Sequence, residues 1–247
     1  MVLTVLGSSS RGNCYILQND TEALILEAGV KFTEVKKALA FNFSKVQGLL
    51  ITHEHGDHAK YANDAVLSRV DVFASQGTID RLKIGDRGKR PKPLKANEVY
   101  TFGNFRVIPF NVYHDCAEPF GYLIHHPETG TVLFATDTVK LDLQFNGLNN
   151  ILIECNHSQD MLTQNVNAGI IPELVARRTQ QSHLSYNSCL AVLKENNIRQ
   201  VNNIVLIHLS SGNSNPELFK TGVASATGKN VVIAQKGLSM NFNKEPF

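Results

Sequence analysis

The stretch ITHEHGDHAK (51–60) places three histidines and an aspartate within six residues, directly after an apolar run. Each imidazole and carboxylate needs hydrogen-bond partners that an apolar core does not provide. In an extended chain, residues two apart point the same way, so His53 and His55 can converge on one ion. Asp57 and His58 begin the turn into the next segment and point towards a second ion. The stretch therefore predicts half of a metal site for zinc, manganese or iron, since imidazole and carboxylate suit all three.

The other half of such a site has to come from later in the chain. THEHGDH (52–58) resembles the H-x-H-x-D-H signature of the metallo-β-lactamase superfamily, whose fold is a four-layer αβ/βα sandwich holding one or two metal ions. That family places a histidine, a bridging aspartate and a last histidine after three later strands. This chain has His114 after FRVIPFNVY, Asp137 after TVLFAT, and His208 in NIVLIH. The resemblance therefore covers the whole chain.

The resemblance implies two divalent ions, with zinc as the expected metal and manganese as the alternative. The implied ligands are His53, His55 and His114 for one ion, Asp57, His58 and His208 for the other, and Asp137 between the two. It also implies that Asp57 orients the attacking water and takes up its proton. Where the family commonly has an aspartate, this chain has Glu27, and we expect this longer side chain to support the site without binding metal.

Short apolar runs of strand length recur through the first 155 residues. The predicted strands are 2–7, 14–19, 23–29, 46–52, 105–114, 121–126, 131–137 and 150–155. The predicted helices are 33–41, 60–69, 167–180 and 185–197, followed by a strand at 203–209, a helix starting near Pro216, and a last strand pair within 230–242. We predict an α/β fold with two mixed sheets and external helices, in one domain over residues 1–247.

The segment RLKIGDRGKRPKPLK (81–95) carries seven cationic residues against one acidic residue. Its glycines and prolines predict a loop. Two interpretations stay open, namely a solvated basic loop and a flap that attracts anionic phosphate groups. In the second interpretation, Arg87, Lys89 and Arg90 are candidate substrate contacts.

Several histidines lie outside the motif. SHLSYNSCLAVL (182–193) resembles the segment of the ribonuclease Z-like phosphodiesterase branch in which a histidine ahead of a helix faces the metals. That resemblance makes His183 the candidate general acid for the leaving oxygen; the alternative is a polar neighbour of a helix N-cap. His157 either supports the site or serves structural packing. We expect His125 and His126 at the surface.

The predicted function is a metal-dependent phosphodiesterase that hydrolyses nucleotide phosphodiester bonds by a metal-activated water. Nucleic-acid ends and cyclic nucleotides are the two substrate classes that the resemblance leaves. Ser210, Ser211 and Asn213 follow the last ligand and either contact phosphate or form an ordinary polar turn. Two other functions stay open: a metallo-hydrolase of a lactone or thioester, and a non-catalytic nucleotide-binding module.

The composition is ordinary for a globular protein, with 43% hydrophobic and 19% charged residues, and this argues against disorder. The four cysteines lie far apart without a C-x-x-C pair, which favours reduced thiols. The sequence shows no signal peptide and no apolar run of membrane-spanning length. We therefore expect a cytoplasmic protein with no membrane partner, and the resemblance adds a homodimer.

Overall fold

The structure is a computed structural model that describes residues 1–85 and 89–245. In this part of the chain, the strands form two seven-stranded sheets. The first sheet contains β1 (Val2–Gly7), β2 (Cys14–Gln18), β3 (Ala23–Leu26), β4 (Val46–Leu50), β5 (Val72–Ser75), β6 (Lys92–Leu94) and, from the end of the chain, β14 (Ser239–Asn241). The second sheet contains β7 (Tyr100–Phe102), β8 (Phe105–Asn111), β9 (Phe120–His126), β10 (Gly130–Ala135), β11 (Leu148–Glu154), β12 (Asn203–Ile207) and β13 (Asn230–Ile233).

Eight α-helices and one short 3₁₀ helix (Phe43–Lys45) connect or follow the strands within the described ranges. The α-helices are α1 (Phe32–Ala38), α2 (Gly56–Ala59), α3 (Ala62–Leu67), α4 (Gln76–Arg81), α5 (Gln159–Asn167), α6 (Glu173–Ser182), α7 (Tyr186–Glu195) and α8 (Pro216–Thr227). None of the helices in residues 1–85 and 89–245 combines the length and apolarity that a bilayer crossing requires.

Both sheets are mixed. The first has the order β14-β1-β2-β3-β4-β5-β6, antiparallel as far as β3 and parallel beyond it. The second has the order β13-β12-β11-β10-β9-β8-β7, parallel from β13 to β10 and antiparallel beyond. Because β8 and β10 are both antiparallel to β9, they point the same way as β11 and β12. The C-terminal ends of these four strands therefore lie along one edge.

Alternating apolar side chains divide the core into three layers. In β12, Val205 and Ile207 belong to the core between the two sheets, while Ile204 and Leu206 pack with α7 and α8. In β3, Ile25 points outward and packs with α1 and α3. Helices thus cover the outer face of each sheet, and this arrangement confirms the predicted four-layer sandwich.

The single helix predicted over 167–180 is wrong. The segment contains the end of α5, a turn, and most of α6. Gly169 has a φ of 69°, and the N–H groups of Gly169 and Ile170 donate to the carbonyls of Val166 and Asn165. This pattern is a Schellman motif, which ends a helix at a left-handed glycine. Pro172 then stands at the N-cap of α6.

The loop predicted over 81–95 is also only partly correct, because residues 92–94 form β6, the edge strand beside β5. Pro93 is tolerated there because an edge strand has one side free of ladder hydrogen bonds. Lys92 and Lys89 form ion pairs with Asp71, at N–O distances of 2.9 and 3.4 Å. These exposed ion pairs link the basic segment to Asp71, which directly precedes β5.

The last two strands, predicted as a pair, lie in different sheets. β13 extends the second sheet beside β12, and β14 pairs with β1 in the first sheet. The turn between them crosses from one sheet to the other. Ala234 N–H donates to Leu206 O, and Leu238 O accepts from Val5 N–H, each at 2.9 Å. The end of the chain therefore ties the two sheets together.

His126, predicted at the surface, is buried at the edge of the sheets opposite the ends of β8 and β10. Its Nδ1 accepts the N–H of Glu128 at 3.2 Å, so Nε2 carries the proton and donates to Glu22 Oε2 at 3.1 Å. The backbone and side-chain N–H groups of Asn104 also donate to Glu22. Burial alone would raise the pKa of Glu22, but the hydrogen bonds from His126 and Asn104 outweigh it and lower the pKa.

We expect Glu22→Gln to lower the free energy of unfolding by about 1.5–3 kcal/mol near neutral pH, because hydrogen bonds to a charged group are lost. An acid whose pKa is lowered by folding stabilises the protein above its unfolded pKa, and this stabilisation is lost as the pH falls through the folded pKa. Urea denaturation at about pH 7 and about pH 3 measures the difference, which should shrink at acid pH. An equal difference at both pH values would contradict the assignment, and Glu195→Gln, an exposed carboxylate, is the control.

Candidate metal centre

The predicted ligands lie in four loops that follow strands at one edge of the two sheets. The HEHGDH segment (53–58) follows β4 of the first sheet and runs into α2. His114, Asp137 and His208 follow β8, β10 and β12 of the second sheet. The loops from the two sheets therefore face each other across the sandwich edge, where the carboxyl ends of strands commonly form ligand sites.

Three residues at this edge have strained backbone conformations. Glu27, Asp137 and His208 each lie just beyond a strand and have positive φ values of 68°, 45° and 54°. An L-residue in this region costs of order 1–3 kcal/mol and persists only where the surrounding structure enforces it. Three such residues just beyond β3 of the first sheet and β10 and β12 of the second mark this edge as a candidate functional site.

The first cluster contains His53, His55 and His114, whose ligand atoms all lie within 4.8 Å of one another. His114 donates its Nδ1–H to Ser182 O at 2.8 Å, so its Nε2 carries a lone pair and lies 3.1 Å from His55 Nδ1 within the cluster. His53 bonds through Nδ1 to the Thr52 hydroxyl, and within residues 1–85 and 89–245 its buried Nε2 has no hydrogen-bond partner. Burial lowers the pKa of both His53 and His114. Neutral imidazoles with inward lone pairs are the form that binds a divalent ion.

The second cluster contains Asp57, His58, Asp137 and His208, again with ligand atoms within 4.8 Å of one another. His58 Nε2 lies 3.3 Å from both Asp57 Oδ2 and Asp137 Oδ1, and His208 Nε2 lies 3.2 Å from Asp57 Oδ2. Burial alone would raise the pKa of both carboxyl groups, but the neighbouring histidines outweigh it and lower both pKa values. The second cluster therefore offers two ionised carboxylates and two imidazoles.

Asp137 lies between the two clusters. Its Oδ1 faces His58 of the second cluster, while Oδ2 lies 3.6 Å from His114 Nε2 and 3.9 Å from His53 Nε2 of the first. The Thr136 hydroxyl donates to Oδ1 at 2.7 Å and orients the carboxylate. One oxygen on each side is the geometry that the predicted bridging role requires. The two clusters are able to hold a pair of metal ions.

Glu27 lies beneath the second cluster and not within it. Its buried carboxylate accepts the N–H of Thr52 at 3.4 Å and lies 3.5 Å from Nδ1 of His58, the ring nitrogen that faces away from the cluster. Burial raises the pKa of Glu27. These contacts agree with a supporting role that fixes the His58 ring.

Glu154, at the end of β11, is fully buried and organises His183. Its Oε1 lies 2.7 Å from His183 Nδ1 and 3.2 Å from His208 Nδ1, and its Oε2 accepts the N–H groups of Thr138 and Leu184. Burial alone would lower the pKa of His183, but the Glu154 carboxylate outweighs it and raises the pKa. Because Nδ1–H donates to Glu154, the Nε2 side of His183 is left for another partner.

His157 lies behind this pair. Its carbonyl accepts the N–H of Tyr186 at 2.8 Å, and it forms an isolated bridge with Ser185 at the N-cap of α7. Burial lowers the pKa of its imidazole. The backbone of His157 thus holds the segment that carries His183 against the end of β11.

In the turn after His208, much of the hydrogen-bonding capacity of the polar side chains is taken up by other residues of the protein. Asn213 is buried, its Oδ1 accepts from Asn165 Nδ2 at 2.7 Å, and its Nδ2 lies 3.3 Å from Ser210 Oγ. Ser211 is exposed. For Asn213 the contacts favour the polar-turn interpretation, while phosphate contacts by Ser210 and Ser211 stay a prediction.

No contact in the described part of the chain brings the predicted substrate-binding residues of the basic segment close to either cluster. Lys89 pairs with Asp71, and Arg90 is exposed beside a groove of about 430 Å³ next to α4. Arg87 lies outside the described residues. A role of Arg87, Lys89 and Arg90 in substrate binding stays a prediction.

Glu154, Ser8 and Asn13 are not among the residues that the sequence predicts for the site. Glu154 follows an apolar strand run, as Asp137 does. A carboxylate at the end of a strand was therefore the sequence feature that could have indicated its place in the site. Ser8 and Asn13 lie in the connection GSSSRGN (7–13) between two strands, where clustered small and polar residues also describe any turn.

Close backbone packing holds the motif segment in place. A Cβ on Gly29 would lie 1.7 Å from the carbonyl oxygen of Asp57. We expect Gly29→Ala to displace that backbone, to lower the free energy of unfolding by about 1–3 kcal/mol or more, and to reduce metal content. Denaturant titration and metal analysis measure both effects. Gly212→Ala, whose Cβ would meet nothing within 4 Å, is the control, and equal behaviour of the two variants would contradict the expectation.

Comparison with known proteins agrees with this geometry. A family model described as a beta-lactamase superfamily domain matches residues 26–209, which include every predicted metal ligand. Exodeoxyribonuclease YycJ of Bacillus anthracis is 30% identical, covering 96% of this chain and 90% of its own length. Exodeoxyribonuclease WalJ of Streptococcus pneumoniae is 27% identical, in an alignment that covers 87% of this chain and 84% of WalJ. The crystal structure of the metallo-beta-lactamase fold protein YhfI from Bacillus subtilis matches with a TM-score of 0.72 and 14% identity, covering 97% of this chain and 98% of that one. The predicted family resemblance is confirmed.

Proposed function

We propose that this chain, which belongs to the beta-lactamase superfamily, is a metal-dependent hydrolase of phosphodiester bonds in nucleic acids. The observation that carries the proposal is the position of His183. Its Nδ1 is fixed by Glu154 at 2.7 Å and lies 3.8 Å from Asp137 Oδ2, beside both clusters. A proton donor at the metal site serves a reaction in which a poor leaving group, such as a nucleotide alkoxide, has to depart.

The donor set supports zinc as the metal, with manganese as the alternative. The clusters offer five imidazoles and two carboxylates, and no thiolate is among them. Imidazole nitrogen is a preferred zinc ligand, whereas carboxylate-rich sets favour harder ions. Two divalent ions bound here would activate a water molecule for attack on phosphorus and neutralise charge on the phosphoryl oxygens.

The protein's own residues position and move protons around that reaction. Asp57 is the proposed residue that orients the attacking water and takes up its proton, and its Oδ2 lies 3.2 Å from His208 Nε2 and 3.3 Å from His58 Nε2. His183 keeps its Nδ1–H on Glu154 and donates from Nε2 to the leaving oxygen. Ser182 and Thr52 orient His114 and His53 through their Nδ1 atoms.

DNA ends are the proposed substrate, since the YycJ and WalJ relatives named above are exodeoxyribonucleases. The cationic segment 81–95 supports an anionic substrate because clustered lysine and arginine attract the phosphate backbone. Cyclic nucleotides are the alternative substrate within the same chemistry. A homodimer in the cytoplasm is part of the proposal, and the four free cysteines support a reducing compartment.

A side-by-side assay of the zinc- and manganese-loaded protein tests the proposal. The substrates are end-labelled single- and double-stranded DNA, RNA, a 3′,5′-cyclic mononucleotide, and a thioester. We expect mononucleotide release from DNA ends and no thioester hydrolysis. Thioester turnover without phosphodiesterase activity would replace this function by hydrolysis of carboxylic substrates. Binding of less than about one ion per chain, without rescue by added metal, would indicate a non-catalytic binding module.

A further inference from the structure

The connection between β1 and β2, GSSSRGN (7–13), touches both sides of the second cluster. Ser8 Oγ accepts the backbone N–H of His208 at 3.0 Å. At the other end of the connection, Asn13 N–H donates to the carbonyl oxygen of Asp57 at 2.7 Å. One hairpin therefore joins the ligand loop of the second sheet to the ligand loop of the first.

A chain of side-chain hydrogen bonds runs through this hairpin. Ser8 Oγ lies 2.8 Å from Tyr15 Oη, and Tyr15 Oη lies 3.4 Å from Asn13 Oδ1. Because Ser8 Oγ already accepts from His208, its own hydrogen is available to Tyr15, whose hydrogen in turn goes to Asn13 Oδ1. Each hydroxyl then donates once, and the chain has a single consistent direction from His208 to Asn13. Tyr15 and Asn13 are both fully buried, so water does not compete for these bonds.

The last member of the chain faces the metal ligands. With Oδ1 of Asn13 occupied by Tyr15, Nδ2 is directed at Asp57 and His58. It lies 3.2 Å from the Asp57 carbonyl, 3.4 Å from Asp57 Oδ2 and 3.1 Å from His58 Nε2. When the lone pair of His58 Nε2 is used for a metal ion, the two amide hydrogens are left for the carbonyl and carboxylate of Asp57. Asn13 thus sets the orientation of that carboxylate.

We propose that Ser8, Tyr15 and Asn13 form a positioning relay that couples the His208 loop to the Asp57 carboxylate and tunes the affinity of the second cluster for its ion. The inference rests on the proposed two-metal function. None of the three residues contacts the reacting atoms in this scheme, so they are positioning residues. Loss of hydrogen-bonded support behind metal ligands typically weakens metal affinity 10–100-fold.

Tyr15→Phe is the sharpest test because it removes one hydroxyl and keeps the ring, which packs edge-on against Phe134 at 5.5 Å. We expect zinc titration with a competing chelator to show one ion unchanged and the other bound about 10–100-fold more weakly. On DNA, kcat should fall while KM stays the same. Thr4→Val is the matched control, since it removes a hydroxyl from the same hairpin, where Thr4 bonds to Gln18 away from the site.

Ser8→Ala provides a second test from the other end of the relay and requires only a small change in volume. Weakening of the same ion by Ser8→Ala and Tyr15→Phe, with melting temperatures close to that of the original protein, supports the relay. If the original protein binds two ions and both variants bind zinc with unchanged affinity, the relay is overturned while the two-metal function stands. Failure of the original protein to bind two ions overturns the two-metal function, and the two failures are thereby distinguished.

Discussion

Replacement of Asp137 by alanine is expected to lower kcat on DNA by at least about 10³-fold and to reduce bound metal from two ions per chain to one or none. Its two oxygens face different clusters, Oδ1 towards His58 and Oδ2 towards His53 and His114, so one substitution removes a predicted ligand atom from both. Metal ions supply several kcal/mol of transition-state stabilisation, and each 1.36 kcal/mol corresponds to tenfold in rate. Metal analysis and steady-state kinetics measure the two effects.

The stability of the metal-free protein should fall as well. His208, His58 and His53 outweigh burial and lower the pKa of the Asp137 carboxyl, so the ionised carboxylate stabilises the metal-free fold near neutral pH. Metal-free Asp137→Ala should therefore unfold at a lower denaturant concentration, because the buried His58 and His208 lose the carboxylate that they face. Asp142→Ala, an exposed aspartate later in the same loop, is the control. Two bound ions and activity within about tenfold of the original protein would contradict the bridging role.

The residues that meet in the two clusters could be predicted from the sequence because each is encoded locally. His53 to His58, His114, Asp137 and His208 all stand just beyond an apolar strand run, and the order of runs was enough to bring the strand ends to one edge. The supporting residues could not be predicted in this way. Glu154 bonds to His183 and His208 only because β11 lies between β10 and β12, which is a fact of sheet order.

The elements that differ from prediction show the same limit. The helix expected over 167–180 failed on a local feature, the left-handed Gly169, which a helical apolar pattern does not reveal. The separation of β13 from β14 and the pairing of β6 with β5 depend on tertiary packing, which the local sequence does not encode. Likewise, Ser8 and Asn13 belong to a segment whose composition is that of an ordinary turn. Only the folded hairpin shows that they contact His208 and Asp57.

His183→Ala is the second variant for which a large effect is expected. We expect kcat on DNA to fall about 10²–10⁴-fold, the range that a positioned general acid contributes, while both metal ions stay bound. His183 is not among the predicted ligands of either ion, although its imidazole forms a third group of ligand-type side chains with Asp137, Glu154 and His208. Its Nδ1 faces Glu154 Oε1 at 2.7 Å. Metal analysis of the purified variant, alongside DNA hydrolysis rates, separates loss of a proton donor from loss of the metals.

The leaving group gives this prediction a readout that a purely structural role would not produce. An alkoxide leaving from DNA requires a proton, whereas a nitrophenolate leaving from bis(p-nitrophenyl) phosphate departs without one. The loss in His183→Ala should therefore be large on DNA and much smaller on the aryl ester.

Glu154→Gln should show the same bias to a lesser extent, because it leaves His183 in place but loosens its orientation. His125→Ala, an exposed histidine at the opposite end of the second sheet, is the control. Equal losses on both substrates would assign His183 to ground-state positioning and remove it from proton transfer.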